Sequence, residues 1–219
     1  MAGLEENYRR LLERIGEAAV RSGRNAADVR LMGVTKRVEA GRIREAIELG
    51  LRDIGESRVQ EAEEKLPLLD RTGVRCHMIG HLQSNKARKA LELFDSIQSV
   101  ESSGLAERLD GILDRPFPVF IQVWSGDEPS RSGVGESGLA ALVDVVRSSR
   151  SLGLEGFMTI PPFFEDPERT RPYFRRLREL QESHAVGQLS MGMSHDFEVA
   201  IEEGATVVRI GTALFGERA

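Results

Sequence analysis

Short apolar runs alternate along most of the chain with longer segments in which apolar residues recur every three or four positions. The short runs are typical of buried β-strands, and the longer segments are typical of amphipathic helices. Eight strands are predicted, with the sequences VRLMGVTK, LRDIGES, CHMIGH, SIQSV, VFIQVW, LEGFMTI, GQLSMG and VVRIGT. Helices are predicted over residues 39–49, 58–66, 85–93, 104–113, 138–149, 167–183 and 196–203.

Strict alternation of strand and helix indicates a parallel sheet, because parallel neighbours need a crossover helix. Eight such units predict one α/β domain over residues 1–219, a closed (β/α)8 barrel of the TIM type. An open doubly wound sheet fits less well, since its glycine fingerprint is missing from the first turn. An extra amphipathic helix, over about residues 3–22, is expected to cover the place of an eighth helix.

Composition and charge narrow the function classes. The formal net charge of -5 argues against a sequence-independent grip on nucleic acid, which needs a basic surface. No run approaches the roughly 18 apolar residues of a membrane span, and the charged opening segment does not resemble a signal peptide. The single Cys76 cannot form an internal disulfide, so a reducing cytoplasm is the expected location.

Two strand-to-helix turns near the end of the chain have the composition of phosphate sites. SMGMSHD, residues 190–196, follows the seventh strand, and IGTALFG, residues 210–216, follows the eighth. Glycine and hydroxyl residues at such turns leave backbone N–H groups available to an anion. Taken alone, this loop is better explained with Ser194 as a helix N-cap. Two such loops, adjacent in a closed barrel, favour a phosphate.

Lys36 ends the first predicted strand, so it is expected to project from the same rim as the two loops. A lysine amine facing a phosphate-bearing aldehyde is the pairing that forms a Schiff base. This arrangement suggests pyridoxal 5'-phosphate (PLP). A lysine aldolase acting on a sugar phosphate would use the same parts, and the residues alone leave both open.

Arg209 alternates with Gly211 on the eighth predicted strand, which predicts an inward-pointing side chain. Facing a pyridine nitrogen, a protonated arginine would keep that nitrogen unprotonated and weaken the ring as an electron sink. The alternative is an ion pair with a carboxylate inside the barrel.

Several stretches together resemble one family, the PLP homeostasis proteins, which are small cytoplasmic relatives of the alanine racemase barrel. These stretches are GVTK, IGESRVQE, HMIGHLQSNK, GFMTIPP and LSMGMSHDFEVAIEEGATVVRIGTALFG. The resemblance extends from about residue 5 to the end of the sequence. The resemblance implies a PLP barrel of fold type III without the second β domain. It also implies a Schiff base at Lys36, Arg209 near the pyridine nitrogen, and phosphate held by loops containing Ser190, Gly192, Ser194, Gly211 and Thr212.

The chain departs from the family pattern at four positions. Ser57 replaces the usual asparagine, Cys76 a tryptophan, Arg131 a lysine, and Trp124 an asparagine. Ser57 and Trp124 are expected at the barrel mouth, so contacts to the ring face are expected to differ. No role is assigned to either residue.

His77 and His81 have a spacing that resembles a metal pair only on a helix with a glutamate beside the first histidine. Here they span a strand end and a glycine, so structural roles are predicted and no metal site is assigned.

A racemase needs two proton-transfer groups, and in the alanine racemases a tyrosine from the second domain supplies one. Tyr8 and Tyr173 are predicted on the first and an outer helix, away from the mouth. We therefore expect a non-catalytic PLP carrier that buffers the cofactor or passes it to apo-forms of PLP-dependent enzymes. A racemase or lyase of low activity is the alternative. A monomer is expected, as the resemblance implies.

Overall fold

The computed structural model describes residues 3–124 and 132–216. This part of the chain contains nine strands, whose composition is mainly apolar, as expected for buried strands. They are β1 (Arg30–Val34), β2 (Asp53–Glu56), β3 (Arg75–Met78), β4 (Ser96–Val100), β5 (Phe117–Trp124), β6 (Val134–Gly135), β7 (Leu152–Met158), β8 (Gln188–Ser190) and β9 (Val207–Ile210).

The first eight helices of the described residues follow the predicted segments to within a few positions, and the ninth was not predicted. They are α1 (Leu4–Arg21), α2 (Ala40–Glu48), α3 (Val59–Lys65), α4 (Ala87–Leu93), α5 (Ser103–Asp110), α6 (Glu136–Ser148), α7 (Arg171–Ser183), α8 (Phe197–Glu202) and α9 (Thr212–Phe215). Short 3-10 turns lie at Ala26–Asp28, Leu66–Leu68, Ser84–Lys86 and Pro167–Thr170.

Eight parallel strands close the barrel, which confirms the predicted fold. The strand order is β4-β3-β2-β1-β9-β8-β7-β5, and β4 also pairs with β5 to complete the ring. The two-residue β6 was not predicted, and it pairs with the outer end of β5 beyond the ring. The alternation of strand and helix therefore predicted the architecture correctly.

The predicted helix over residues 167–183 begins as a 3-10 turn, Pro167–Thr170, and becomes α-helical only at Arg171. Pro167 and Pro172 lack the N–H group that a helix interior requires, so each is tolerated only in a first turn. Gly50 and Gly204 follow the ends of α2 and α8, and both have the positive φ values, 112° and 105°, of left-handed residues after a helix.

Helix α1 covers the place of an eighth barrel helix, as predicted, and packs against α8 and α9. Among the described residues after β9, the only helix is the four-residue α9. Leu11 and Ile15 face the core from α1. The Asn7 amide donates to the Leu214 carbonyl (3.1 Å). No helix of the described residues has the length and apolar character needed to cross a membrane.

Leu11 and Leu12 are neighbours in α1, but their side chains are 2% and 46% exposed. Leu11→Ala should lower the free energy of unfolding by about 2–5 kcal/mol, because it leaves a cavity under the helix. Leu12→Ala, the matched control, should change it by less than about 0.5 kcal/mol. Urea unfolding followed by circular dichroism measures both. Equal effects would mean that α1 does not close the core.

Candidate functional site

A cavity of about 240 Å³ opens at the carboxyl ends of the barrel strands. Five of the seven predicted cofactor-binding residues line it: Lys36, Ser194, Arg209, Gly211 and Thr212. The complete lining consists of Val34, Lys36, Ser57, Ile79, Ile160, Met193, Ser194, His195, Arg209, Gly211 and Thr212. The structure thus brings the lysine of the first strand end and both glycine-containing turns to one concave surface.

The direction of Lys36 is set by the two residues that flank it. Thr35 is fully buried; its N–H donates to the Gly55 carbonyl (3.0 Å) and its hydroxyl donates to Glu56 Oε1 (2.8 Å). On the other side, Arg37 has a left-handed backbone with φ of 59°. Because side chains alternate along β1, the outward position of Thr35 places Lys36 on the inner side, at the cavity.

A buried ion pair between Lys65 and Glu56 holds the turn at Thr35 and Lys36. The Lys65 ammonium lies 2.7 Å from Glu56 Oε1 and also donates to the Thr35 carbonyl at 2.6 Å. Burial raises the pKa of the Glu56 carboxyl, and the contacts from Lys65 and Thr35 oppose that rise. Lys65 further contacts Glu61 at 2.8 Å. The turn that carries Lys36 is therefore held by charged groups from β2 and α3.

Ser194 is not the N-cap of α8, since that helix begins at Phe197 with Asp196 as its N-cap. Its hydroxyl instead accepts a hydrogen bond from the Ala213 N–H (3.2 Å), which ties the two predicted phosphate turns together. Asp196 Oδ1 accepts from the Met193 N–H (2.7 Å). Burial raises the pKa of the Asp196 carboxyl, and the bond from Met193 opposes this.

Arg209 points into the barrel, as its alternation with Gly211 predicted. Its side chain donates to the Ser190 carbonyl (2.6 Å), the Ser190 hydroxyl (2.9 Å) and the Thr159 carbonyl (2.7 Å). These partners are neutral oxygens, so the alternative of a direct ion pair is not what the structure contains. Burial lowers the pKa of Arg209 to about 10, opposed by the charge of Asp196. The guanidinium therefore stays protonated at neutral pH.

Ser190 and Gly192 lie behind the cavity wall. The Ser190 hydroxyl, besides accepting from Arg209, donates to Gln98 Oε1 (2.7 Å) inside the barrel. Gly192 has φ of 89°, and a Cβ there would come within 2.6 Å of the Ala200 Cβ and 3.0 Å of the Phe197 Cα. Both residues position groups that line the cavity.

Sequence reasoning missed the apolar lining residues and His195. Val34 lies two residues before Lys36 on the inner side of β1, so alternation could have identified it. Ile160 and Met193 follow strand ends, where no periodic signal exists. His195 shares a hydrogen bond with the Glu165 carbonyl (2.9 Å) and packs against the Phe163 ring (5.4 Å between centroids).

The residues that depart from the family pattern lie in different places. Ser57 lines the cavity, and Trp124 ends β5 on its inward-facing side. Cys76 is a buried thiol whose pKa is raised by burial. Arg131 lies outside the described residues.

Each histidine of the HxxxH spacing faces a carboxylate. His77 Nε2 lies 2.8 Å from Asp53 Oδ1, and His81 Nδ1 lies 2.7 Å from Glu101 Oε1. In the part of the chain that the structure describes, no three histidine, cysteine or carboxylate side chains are grouped as metal ligands.

Comparison with known proteins shows the family to which the chain belongs. The family model for the alanine racemase N-terminal domain matches residues 3–219. The PLP homeostasis protein of Aquifex aeolicus is 44% identical, over 97% of this chain and 97% of that protein. The chain belongs to the PLP homeostasis protein family. This confirms the resemblance drawn from the motifs.

Two solved structures place the family member among related folds. PipY of Synechococcus elongatus, solved with PLP bound, has a TM-score of 0.80 and 40% identity, covering 94% of this chain and 99% of that chain. Alanine racemase from Corynebacterium glutamicum has a TM-score of 0.69 at 17% identity, covering 98% of this chain and 60% of the racemase. The second likeness shows a shared fold alone.

Gly192→Ala should destabilise this family member by about 2–4 kcal/mol, because it forces a side chain into left-handed backbone and against Ala200. Gly104→Ala is the matched control. Gly104 lies in α5, and a Cβ there meets nothing within 4 Å. The control should therefore be neutral or stabilise by up to about 1 kcal/mol. Thermal and urea unfolding measure both, and an unaffected Gly192→Ala protein would contradict the close packing of this loop.

Proposed function

We propose that this chain binds PLP in the cavity, with the cofactor's aldehyde carbon attached to the Lys36 amine, and that it holds and passes on the cofactor. The observation that carries the proposal is the presence of Lys36, Arg209 and both glycine-containing turns around one cavity. The bound PLP of the PipY structure and the name of the Aquifex aeolicus relative support it.

The lining fits the chemistry of PLP. No carboxylate is among the lining residues of the described chain, and the polar ones provide hydroxyl groups, a guanidinium and an ammonium. Such a donor set favours an anionic ligand. Val34, Ile79 and Ile160 supply apolar surface suited to the faces of an aromatic ring.

Residues at the two ends of the cavity would have different tasks. The turns with Ser194, Gly211 and Thr212 would hold the phosphate, since Ser194 joins them and their backbone N–H groups lie at strand ends. Arg209 would face the pyridine nitrogen. When bound, PLP supplies an aldehyde that reacts with amines and a ring that withdraws electrons. A protonated arginine beside the ring nitrogen restrains the second property.

Two observations favour a carrier over a racemase. Tyr173 stacks on Phe164 in the outer layer, at 5.9 Å between ring centroids. Tyr8 lies on α1 with its hydroxyl beside Gly50, where β2 is about to begin, at the opposite end of the barrel from the cavity. Neither tyrosine is placed as the second proton-transfer group that a racemase uses. The racemases tolerate an arginine near the ring, so the tyrosines carry more weight than Arg209.

The setting of this activity follows from the same proposal. A carrier of a reactive aldehyde would pass it to apo-forms of PLP-dependent enzymes in the cytoplasm. The buried free thiol of Cys76 is compatible with a reducing compartment. We expect the protein to act as a monomer.

Purified protein incubated with PLP should turn yellow, and borohydride should fix the cofactor to the peptide that contains Lys36. Lys36→Ala should abolish labelling, because the amine that attacks the aldehyde is missing. Lys89→Ala removes a lysine of α4 on the outer surface and serves as the control that should label normally. Absorption spectra and peptide mass spectrometry measure the outcome. A colourless, unlabelled wild-type protein in excess PLP would refute the proposal.

The loaded protein should not racemise amino acids faster than free PLP does. With L-alanine in deuterated water, we expect exchange at the α-carbon at the rate of an equal concentration of free PLP, because a second proton-transfer group is not in place. Chiral chromatography and mass spectrometry follow racemisation and exchange. Rapid exchange that disappears in Lys36→Ala would make the protein an enzyme of the racemase or lyase class.

A further inference from the structure

A second cavity, of about 480 Å³, adjoins the first at the barrel mouth. It lies between the loop after β2 and the loop after β3, and Ser57 lines both cavities. Its cationic lining residues are Arg58 and Lys86, His81 contributes an imidazole, and Gln60 and Gln83 contribute amides.

The walls of this cavity are fixed by backbone contacts. A Cβ on Gly80 would lie 2.2 Å from the Ser57 carbonyl oxygen, so the two loops meet at a distance that only glycine permits. The Ile79 N–H donates to the Glu56 carbonyl (2.9 Å) beside this contact. Met78 and Leu82, both buried, form the apolar part of the wall. The cavity is therefore pre-formed.

The charges of the lining favour an anion. No carboxylate lines the cavity, and within residues 3–124 and 132–216 neither Arg58 nor Lys86 takes part in an ion pair. The nearby carboxylates are already engaged. Glu61 contacts Lys65 at 2.8 Å and attracts Arg58 only at longer range, and Glu101 contacts His81 at 2.7 Å. Two cations thus face a space that already contains amide and hydroxyl donors.

We propose that this cavity binds a phosphate monoester, separately from the cavity of Lys36. A phosphate monoester carries close to two negative charges at neutral pH, matching Arg58 and Lys86, and several acceptor oxygens for the amides. The concave, bounded shape suits a small molecule rather than a polymer. The identification of this monoester as a vitamin B6 phosphate rests on the proposed function. The existence of the anion site does not depend on it.

The test uses two probes that cannot react with lysine: inorganic phosphate and pyridoxine 5'-phosphate, which has an alcohol in place of the aldehyde. The first cavity is filled beforehand by PLP fixed with borohydride. If no PLP can be fixed, Ser194→Ala/Thr212→Ala protein is used instead, so failure of the proposed function is seen separately. Isothermal titration calorimetry measures the Kd of each probe.

Arg58→Gln and Lys86→Gln should each raise the Kd of pyridoxine 5'-phosphate about tenfold, the loss expected for one contact to a charged group. Arg88→Gln is the matched control. It removes one positive charge from an exposed residue that lies two positions after Lys86 and does not line the cavity. Its Kd should stay within about twofold of wild type. Binding of both probes indicates a site for phosphate in general, and binding of the B6 phosphate alone a selective one.

Two results would overturn the inference. One is that neither probe binds the protein whose first cavity is filled. The other is that binding occurs but is unchanged in both Arg58→Gln and Lys86→Gln. All of these side chains are at the surface or partly exposed, so the variants should fold, and circular dichroism verifies this.

Discussion

The pairing of β1 with β9 joins the first and last strands of the barrel and sets the geometry at its mouth. In this parallel ladder Arg30 is opposite Val207, and Met32 is opposite Arg209. Because both strands alternate inward and outward in the same phase, Arg209 enters the barrel from the same side as Met32 and Val34. Continuing that phase past the strand ends brings Lys36 and Gly211 to the same cavity. A shift of one residue in either strand would send the side chain of that strand, Lys36 for β1 or Arg209 for β9, to the helix layer instead.

Arg209 is a charged side chain that the pairing of β1 with β9 buries inside the barrel. Isolated burial of a guanidinium is costly, and the barrel compensates with carbonyl and hydroxyl oxygens from β8 and the end of β7. Each hydrogen bond to a charged group contributes about 1.5–3 kcal/mol. Since none of these partners is anionic, the positive charge is solvated but not cancelled. The field of Arg209 therefore extends into the cavity, where an electron-rich ring atom or an anion would be stabilised.

Periodicity explains how much of this site could be predicted. Alternation along two strands was sufficient to bring Lys36 and Arg209 to one side, and the sequence of the two turns predicted their location. Alternation does not report depth along the barrel axis. Ser190 points inward but lies one layer below the cavity, and there it accepts hydrogen bonds from Arg209. His195 and Ile160 follow strand ends, and contacts there depend on loop conformations that no local pattern encodes.

Glu56 connects the two cavities. Its carboxylate accepts a hydrogen bond from the Thr35 hydroxyl and pairs with the Lys65 ammonium, and these contacts fix the turn that carries Lys36. Its backbone carbonyl accepts a hydrogen bond from the Ile79 N–H, which fixes the wall of the second cavity. A buried ion pair generally costs nearly as much in desolvation as it gains in attraction, so its contribution to net stability is small. We infer that the pair serves to position the turn. Apolar residues in place of Glu56 and Lys65 would leave the Thr35 hydroxyl and the Thr35 carbonyl without these partners. The turn that carries Lys36 would then be held by fewer hydrogen bonds.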